Sequence, residues 1–183
     1  MAGREGADHV EPAARDFTIV RDDATGPEIT ALIALHVAAA HAGTPLQHAY
    51  ALGVEALRSP GITLWSLWEG QALLGCVALK DLGDGMGEVK SMRTDPAHLR
   101  RGIAARLLAH LIDEARRRGW HRLNLETGTV PSFDPAHALY RRFGFVDCGP
   151  YADYVESEHN CFMTLALRHH NGSDTGPARS SAG

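Results

Sequence analysis

Several common functional signals are absent from this 183-residue chain. No apolar run approaches the roughly 20 residues that a membrane-spanning helix needs, and the first residues lack the apolar stretch of a signal peptide. The formal net charge of -4 disfavours non-specific binding of nucleic acid, because proteins that bind it are usually basic. We therefore expect a cytoplasmic protein that binds neither a membrane nor nucleic acid.

Cysteine is scarce, and the three cysteines do not form pairs in the sequence. Cys76, Cys148 and Cys161 are scattered, and none belongs to a CxxC motif. We expect unpaired thiols that fill space as small hydrophobic residues. The eleven histidines include no HExxH motif and no cluster with cysteine at zinc-binding spacing. The sequence therefore predicts no metal site.

The composition is sufficient for one globular core, because 44% of the residues are hydrophobic. Segments 1–15 and 169–183 are polar and are expected to be flexible tails around a single domain, 16–168. Hydrophobic periodicity predicts the order β-α-α-β-β-β-α-β-α-β, an α/β domain around one mixed sheet. The predicted strands are 16–20, 62–69, 72–82, 85–94, 121–127 and 161–167, and the predicted helices lie within 27–43, 46–59, 105–119 and 134–145.

A glycine follows two arginines where a predicted strand leads into the clearest helix, in the stretch HLRRGIAARLL, 98–108. The first N–H groups of a helix lack intrahelical partners and lie at the positive end of its dipole. Gly102 lets a ligand approach the backbone closely, and Arg100 and Arg101 add positive charge. This combination suits phosphate. The alternative is an ordinary helix start with solvated arginines. A P-loop is excluded and a dinucleotide-binding motif is disfavoured, because neither GxxxxGK[ST] nor GxGxxG occurs.

Two spaced motifs resemble those of the GNAT superfamily of N-acetyltransferases. LRRGIA, 99–104, is similar to the acyl-CoA loop [QR]-x-x-G-x-[GA], and AHALYRRFGF, 136–145, is similar to the segment A-x-x-L-Y-x-x-x-G-F. Glu88 begins the strand before the loop, as a glutamate does in several family members. The runs SMRTDPAHLRRGIA, LNLETG and FGFVDCGPYADY resemble a bacterial subgroup of uncharacterised acetyltransferases. The resemblance covers residues 17–168.

The resemblance implies a single-domain GNAT fold, with a mixed and mostly antiparallel sheet flanked by helices. The chain departs from the family pattern at three positions. Leu99 stands where Gln or Arg is usual, and Arg100 stands where Gly is frequent. Phe133 stands where an asparagine often contacts the cofactor, so that contact is not expected here.

The implied activity is transfer of an acetyl group from acetyl-CoA, as co-substrate, to a primary amine of a small molecule. Direct attack within a ternary complex is expected, because no cysteine lies in a setting that would activate it as a nucleophile. Two alternatives stay open: a CoA-binding regulatory module with little catalysis, and an enzyme that acetylates protein lysines or N-termini. The resemblance also allows for a homodimer. The residues implied in binding the donor are Met92 and Arg93 at the thioester and Leu99, Arg100, Arg101, Gly102, Ile103 and Ala104 at the pyrophosphate.

The resemblance also implies catalytic side chains. Tyr140 is the candidate acid that protonates the departing thiolate; the alternative is a tyrosine that packs one face of a short helix. Glu88 is the candidate base, acting through water; the alternative is a glutamate that pairs with Lys90 or is solvated. Lys90 and Glu126 are candidates for binding the acceptor, and Glu126 is a second candidate base. The side chains expected to line the acceptor pocket are His36, His41, His48, Tyr50, Tyr151, Asp153 and Tyr154.

Overall fold

The computed structural model describes residues 16–43 and 51–167, with the backbone alone at 41–43. The predicted tails, 1–15 and 169–183, lie outside the described residues. The strands are β1 (Phe17–Asp22), β2 (Ile62–Glu69), β3 (Ala72–Gly83), β4 (Met86–Thr94), β5 (Arg122–Gly128), β6 (Val146–Cys148) and β7 (Asn160–Ala166). The helices are α1 (Pro27–Gly43), α2 (Val54–Leu57), α3 (Ile103–Arg117) and α4 (Asp134–Arg142).

One seven-stranded sheet, in the order β1-β2-β3-β4-β5-β7-β6, organises the fold. Every neighbouring pair is antiparallel except β4 and β5, which run parallel. Parallel neighbours need a crossover connection, and α3 provides it. The predicted α/β fold with a mixed, mostly antiparallel sheet is therefore confirmed.

The sheet carries a separate apolar core on each face. Along β3, Val77 and Leu79 pack in the core that α3 covers, whereas Cys76 and Ala78 pack in the core that α1 covers. This alternation follows from the two-residue period of a strand. The fully buried side chains that α3 contributes are Ile103, Leu107, Leu108, Leu111 and Ala115. We refer below to the α3 face and the α1 face of the sheet.

One predicted helix is shorter in the structure, and one strand was not predicted. The helix predicted over 46–59 is reduced to α2, and 51–53 are not helical; residues 46–50 lie outside the described residues. Gly53 is extended, with φ -74° and ψ 172°, so it caps α2 and does not continue a helix before it. The sequence prediction also missed β6, which has three residues and two exposed side chains. A strand this short has too few positions to show a period of two.

The cysteines agree with expectation. Cys76, Cys148 and Cys161 are free thiols, and burial raises the pKa of Cys76 to about 12, which keeps that thiol protonated. In residues 16–43 and 51–167, no group of three or more His, Cys, Asp or Glu side chains is arranged to hold a metal. Within the same ranges, no helix combines the length and apolar character needed to cross a bilayer.

Candidate functional site

A β-bulge interrupts β4 beside β3. Arg93 pairs with Cys76 and Lys90 pairs with Ala78, so two residues of β4, Ser91 and Met92, stand opposite the single residue between them on β3. Ser91 has a positive φ of 49°, a conformation that a non-glycine residue rarely adopts. A bulge bends its strand and increases its twist. This irregularity separates the first half of β4 from its second half.

The bend coincides with a gap between β4 and β5. These strands pair only from Met86–Arg122 to Val89–Leu125. β4 continues to Thr94, and β5 continues to Gly128 in contact with β7. Beyond Val89, one edge of β4 therefore has no strand partner, and a cleft opens there. The residues that line this cleft are His36, Ala40, Ala51, Val89, Lys90, Ser91, Met92, Glu126, Thr127, Gly128, Phe133, Ala136, Tyr140 and His159.

The start of α3 is an uncapped helix N-terminus. Gly102 adopts the left-handed conformation, with φ 77° and ψ 12°, and its carbonyl accepts the first helical hydrogen bond from Arg106 N–H. No side chain caps the helix. A Cβ atom added at Gly102 would have no heavy atom within 4 Å. The first amides of α3 therefore face space that a phosphate group would fit.

The two arginines before Gly102 differ in their surroundings. Arg100 is exposed and has a positive φ of 60°. The guanidinium of Arg101 instead donates two hydrogen bonds to the Glu69 carboxylate, at 2.8 and 2.7 Å, and lies 3.0 Å from the His98 ring nitrogen. The end of β2 thus supplies a carboxylate that engages the Arg101 side chain, and the attraction of phosphate by Arg100 and Arg101 stays a prediction.

Glu126 is the carboxylate that lines the cleft. It lies on β5, one residue beyond the last pair with β4. Burial raises its pKa to about 7; Lys90 opposes this shift and Glu88 adds to it. A carboxyl group with this pKa exchanges its proton near neutral pH, which suits a general base.

Tyr140 lines the same cleft from α4. Its side chain is buried, and its ring packs against Phe145 with 5.8 Å between the ring centroids. Burial raises the pKa of its hydroxyl, and Glu126 and Cys161 raise it further. The phenol is therefore protonated at neutral pH and able to donate. Both sequence-based readings of Tyr140, packing and access to the cleft, are compatible with this position.

Glu88 lies in the first half of β4, where the strand is paired with both β3 and β5. It is 0% exposed, and its Oε1 accepts hydrogen bonds from the hydroxyls of Tyr151, at 2.9 Å, and Tyr154, at 2.5 Å. The ammonium of Lys90 lies 3.5 Å from the same oxygen and donates to the Tyr154 hydroxyl at 2.7 Å. Glu88 does not line the cleft, so this arrangement corresponds to the paired alternative and not to a base exposed to substrate. We call these four residues the tyrosine cluster.

The expected acceptor-pocket residues are only partly brought together. His36 lines the cleft, and burial, Arg93 and Lys90 lower its pKa to about 4, so it is neutral at pH 7. Tyr151 and Tyr154 hold Glu88 instead, and Asp153 is exposed. The side chains of His41, His48 and Tyr50 lie outside the described residues.

Sequence reasoning missed several lining residues. Phe133 was considered only as a replaced asparagine, yet its ring lies against β5, 2.5 Å from where a Cβ on Gly128 would stand. Gly128, which directly follows the predicted strand, was the available signal for this close approach. Ser91 and His159 carried no such signal, because their positions depend on the bulge and on the loop before β7.

Comparison with known proteins identifies the family. The model of the acetyltransferase (GNAT) family matches residues 31–145. The uncharacterised N-acetyltransferase YsnE of Bacillus subtilis is 49% identical over 146 residues, which are 80% of this chain and 97% of the relative. The uncharacterised N-acetyltransferase YedL of Escherichia coli is 47% identical over 155 residues, 85% of this chain and 98% of the relative.

A solved structure agrees with this assignment. A Klebsiella pneumoniae protein, named as a proposed acyl-CoA N-acyltransferase, superposes with a TM-score of 0.68 at 29% identity. The match covers 85% of this chain and all of the Klebsiella chain. The chain therefore belongs to the GNAT acetyltransferase family and is an acyl-CoA-dependent acyltransferase.

Proposed function

We propose that this enzyme transfers the acetyl group of acetyl-CoA to a primary amine of a small molecule by direct attack in a ternary complex. The cleft between β4 and β5 is the observation that carries the proposal. A free strand edge, a carboxylate with a pKa of about 7 and a protonated phenol border one space there. These are the groups that acyl transfer to an amine requires.

The donor has two sites of attachment in this proposal. The backbone N–H of Met92, beyond the last β4–β5 pair, would donate to the thioester oxygen and stabilise the oxyanion, because the Arg93 N–H is directed at the Cys76 thiol on β3. The pyrophosphate would bind the amides of 99–104, where Gly102 leaves open space at the uncapped start of α3. Arg100 adds charge from its side chain. We assign only the backbone amide of Arg101 to this site, because Glu69 holds its guanidinium.

We assign the general base to Glu126. An amine attacks only in its neutral form, so a proton has to leave the ammonium group of the acceptor. Glu126 lines the cleft and has a pKa of about 7, so a large fraction is ionised at neutral pH. Glu88, the other candidate, is enclosed by the tyrosine cluster. Its role in this proposal is to fix Lys90 and the loop before β7.

We assign the general acid to Tyr140. The amine nitrogen forms a bond to the acetyl carbon, the carbon–sulfur bond breaks, and the CoA thiolate leaves. Glu126 has by then taken one proton from the acceptor ammonium. Tyr140 protonates the thiolate, and the second proton that leaves the nitrogen restores the Tyr140 hydroxyl through solvent. The overall reaction converts an amine and acetyl-CoA into an amide and CoA thiol, and no covalent acetyl-enzyme forms.

Calorimetric titration with acetyl-CoA tests the donor site. Gly102→Glu places bulk and negative charge at the proposed pyrophosphate site and should weaken binding by at least about 100-fold. Gly102→Ala introduces a similar backbone strain, since Gly102 has φ 77°, but it adds no charge. The alanine variant should therefore bind more tightly than the glutamate variant. Equal affinities of the two variants and the wild type would exclude this pyrophosphate site.

Release of CoA thiol tests the reaction itself. With a panel of small amines, thiol release should depend on the amine and should yield the acetylated amine in equal amount. Initial-rate plots should intersect, as a ternary complex requires. Parallel plots, together with an acetylated protein seen by mass spectrometry, would contradict direct attack.

A further inference from the structure

Buried polar atoms without partners concentrate on one part of β4. Most buried side-chain nitrogen and oxygen atoms are hydrogen-bonded, so each exception requires a cause. Within residues 16–43 and 51–167, four such atoms have no partner. Glu88 Oε2, Ser91 Oγ and Arg93 Nε lie on β4, and the fourth, His110 Nε2, lies on α3. Ser91 Oγ and Arg93 Nε lie beyond the last β4–β5 pair, where a bound molecule with polar groups would satisfy them, whereas Glu88 Oε2 lies in the half of β4 that is paired on both sides.

The bulge places two cationic residues of β4 on the same face. In a regular strand, Lys90 and Arg93 would point to opposite faces, because they are three positions apart. Here they pair with Ala78 and Cys76, and both of these β3 residues pack in the core of the α1 face. Both cations also lower the pKa of His36, which lines the cleft from α1. Lys90 lines the cleft itself, and Arg93 lies beside the lining residues, near enough to act on the same imidazole, so the α1 side of the cleft has two positive charges.

Only one of these two charges is balanced by a neighbour. Lys90 has the Glu88 carboxylate at 3.5 Å and donates to Tyr154. No hydrogen bond or ion pair holds the guanidinium of Arg93 in the part of the chain that the structure describes. Asp22, which influences the same Cys76 thiol as Arg93, accepts hydrogen bonds from Ser66 and from the Ala24 amide.

The sequence that links α1 to α2 also lacks acidic residues, since segment 37–53 contains neither Asp nor Glu. A half-buried guanidinium with an unpartnered nitrogen has five N–H donors and a strong preference for a planar anion.

We propose that the acceptor is an amine that also carries a carboxylate group, as an amino acid does, and that Arg93 binds this carboxylate. The inference rests on the proposed function and specifies its substrate class. The Ser91 hydroxyl lies two residues away on the same bulge and supplies a second donor. With the carboxylate held at β4, the amine extends toward Glu126 on the facing strand. Arg93 is thus a residue that determines specificity, separate from the proton transfers at Glu126 and Tyr140.

Matched sets of acceptors test the proposal. Each set contains an amino acid, its carboxamide and the amine without the carboxyl group; tyrosine, tyrosinamide and tyramine form one, and tryptophan, tryptophanamide and tryptamine form another. Sets built on alanine and glutamate extend the range of side chains. The measurement is kcat/KM for thiol release with acetyl-CoA. In at least one set, the acid should exceed its carboxamide by about 50-fold or more.

Arg93→Met should bring this acid-to-carboxamide ratio to within about threefold of one, since methionine has similar length and no charge. The ratio cancels any general loss of activity. Arg93→Lys, which retains a charge without the planar fork, should leave an intermediate ratio and provides a second variant if the methionine variant does not fold. Arg116→Met makes the same change on the exposed end of α3 and should keep the wild-type ratio.

Two results would overturn the inference. An acid-to-carboxamide ratio near one in every set of the wild type would show that the acceptor needs no carboxylate. An unchanged ratio in Arg93→Met would show that Arg93 does not recognise it. If no amine is acetylated, the proposed function fails separately. Calorimetry on CoA-saturated protein then compares the same acids and carboxamides as ligands. Absence of preferential binding of the acids would overturn the inference on its own.

Discussion

The two halves of β4 have different neighbours and different chemistry. From Met86 to Val89, the strand is paired on both sides, and Gly87 lies against the Trp120 ring. From Lys90 to Thr94, it is paired only with β3, and two of its buried polar atoms have no partner. One strand therefore contributes packing with its first half and an unpaired edge with its second, and the bulge at Ser91 marks the boundary.

The two neighbouring carboxylates give the sharpest test of this contrast. Glu126→Gln should lower kcat/KM by about 10³-fold, because the amide accepts no proton. In the wild type, kcat/KM should rise about tenfold per pH unit below 7 and level off above it, following the pKa of about 7. The variant should lose this pH dependence. The measurement is the pH profile of thiol release.

Glu88→Gln is the matched change in the first half of β4, Met86 to Val89, which is paired on both sides. It should lower kcat/KM by less than about tenfold, and it should lower the free energy of unfolding by about 2 kcal/mol, because Lys90 loses its buried counter-charge. Both quantities are measured on the same preparation, by thiol release and by urea titration. If Glu88→Gln abolishes the pH dependence and Glu126→Gln does not, the base assignment is reversed.

Gly87→Ala should destabilise the first half of β4 through a packing clash alone. An added Cβ would come within 2.1 Å of the Trp120 ring, which is buried. We expect a loss of about 2 to 3 kcal/mol in the free energy of unfolding, measured by urea denaturation. Gly149→Ala serves as the control, since a Cβ there meets nothing within 4 Å, and it should change stability by less than about 0.5 kcal/mol. Similar losses for both variants would show that the contact with Trp120 is not the cause.

Tyr140→Phe should affect the cleft with little change in packing. The ring stays against Phe145 and only the hydroxyl is lost, so kcat should fall about 30-fold while KM for acetyl-CoA stays within about twofold. Steady-state kinetics measure both constants. Tyr154→Phe removes a hydroxyl from the tyrosine cluster. It should lower the free energy of unfolding and reduce kcat by less than Tyr140→Phe does. An unaffected kcat in Tyr140→Phe would favour the packing role of this residue.

The smallest effect concerns stability and pH at Glu126. Its pKa is raised from 4.5 to about 7 in the folded protein, so folding favours the protonated form. Relative to Glu126→Gln, the wild type should lose stability as pH rises from about 4.5 to 7. Outside that window, the difference in free energy of unfolding between the two proteins should be constant. We expect a total of about 1 to 2 kcal/mol, since the group keeps some contact with solvent. Urea titrations at pH 4.5 and 8 measure the difference; a difference of the opposite sign would indicate a favourable ion pair at Glu126.

Local patterns predicted most of the fold and part of the site. The apolar stripe of α3 and the glycine before it are encoded within a few residues, and so are the alternating β2 and β3. Tyr140 and Glu126 were found because motif spacing and strand position brought them to the cleft. The enclosure of Glu88 was not predictable, because its two tyrosine partners lie more than 60 residues away in sequence. The bulge at Ser91 was equally unpredictable, because it is a difference in residue number between two paired strands and cannot be seen in the sequence of one strand.

The bulge is one extra residue that β4 accommodates without exchanging the faces of its other side chains. Met92 packs on the α3 face and Arg93 pairs with Cys76 on the α1 face. Deleting the single codon of Ser91 would leave Lys90 and Arg93 two positions apart, so both would stay on the α1 face and the strand would lose only its bend. Such a deletion should yield folded protein in an expression trial, with a narrower cleft beside β4. A one-residue insertion in a strand thus separates an enzyme with a substrate cleft from a sheet closed along its whole length.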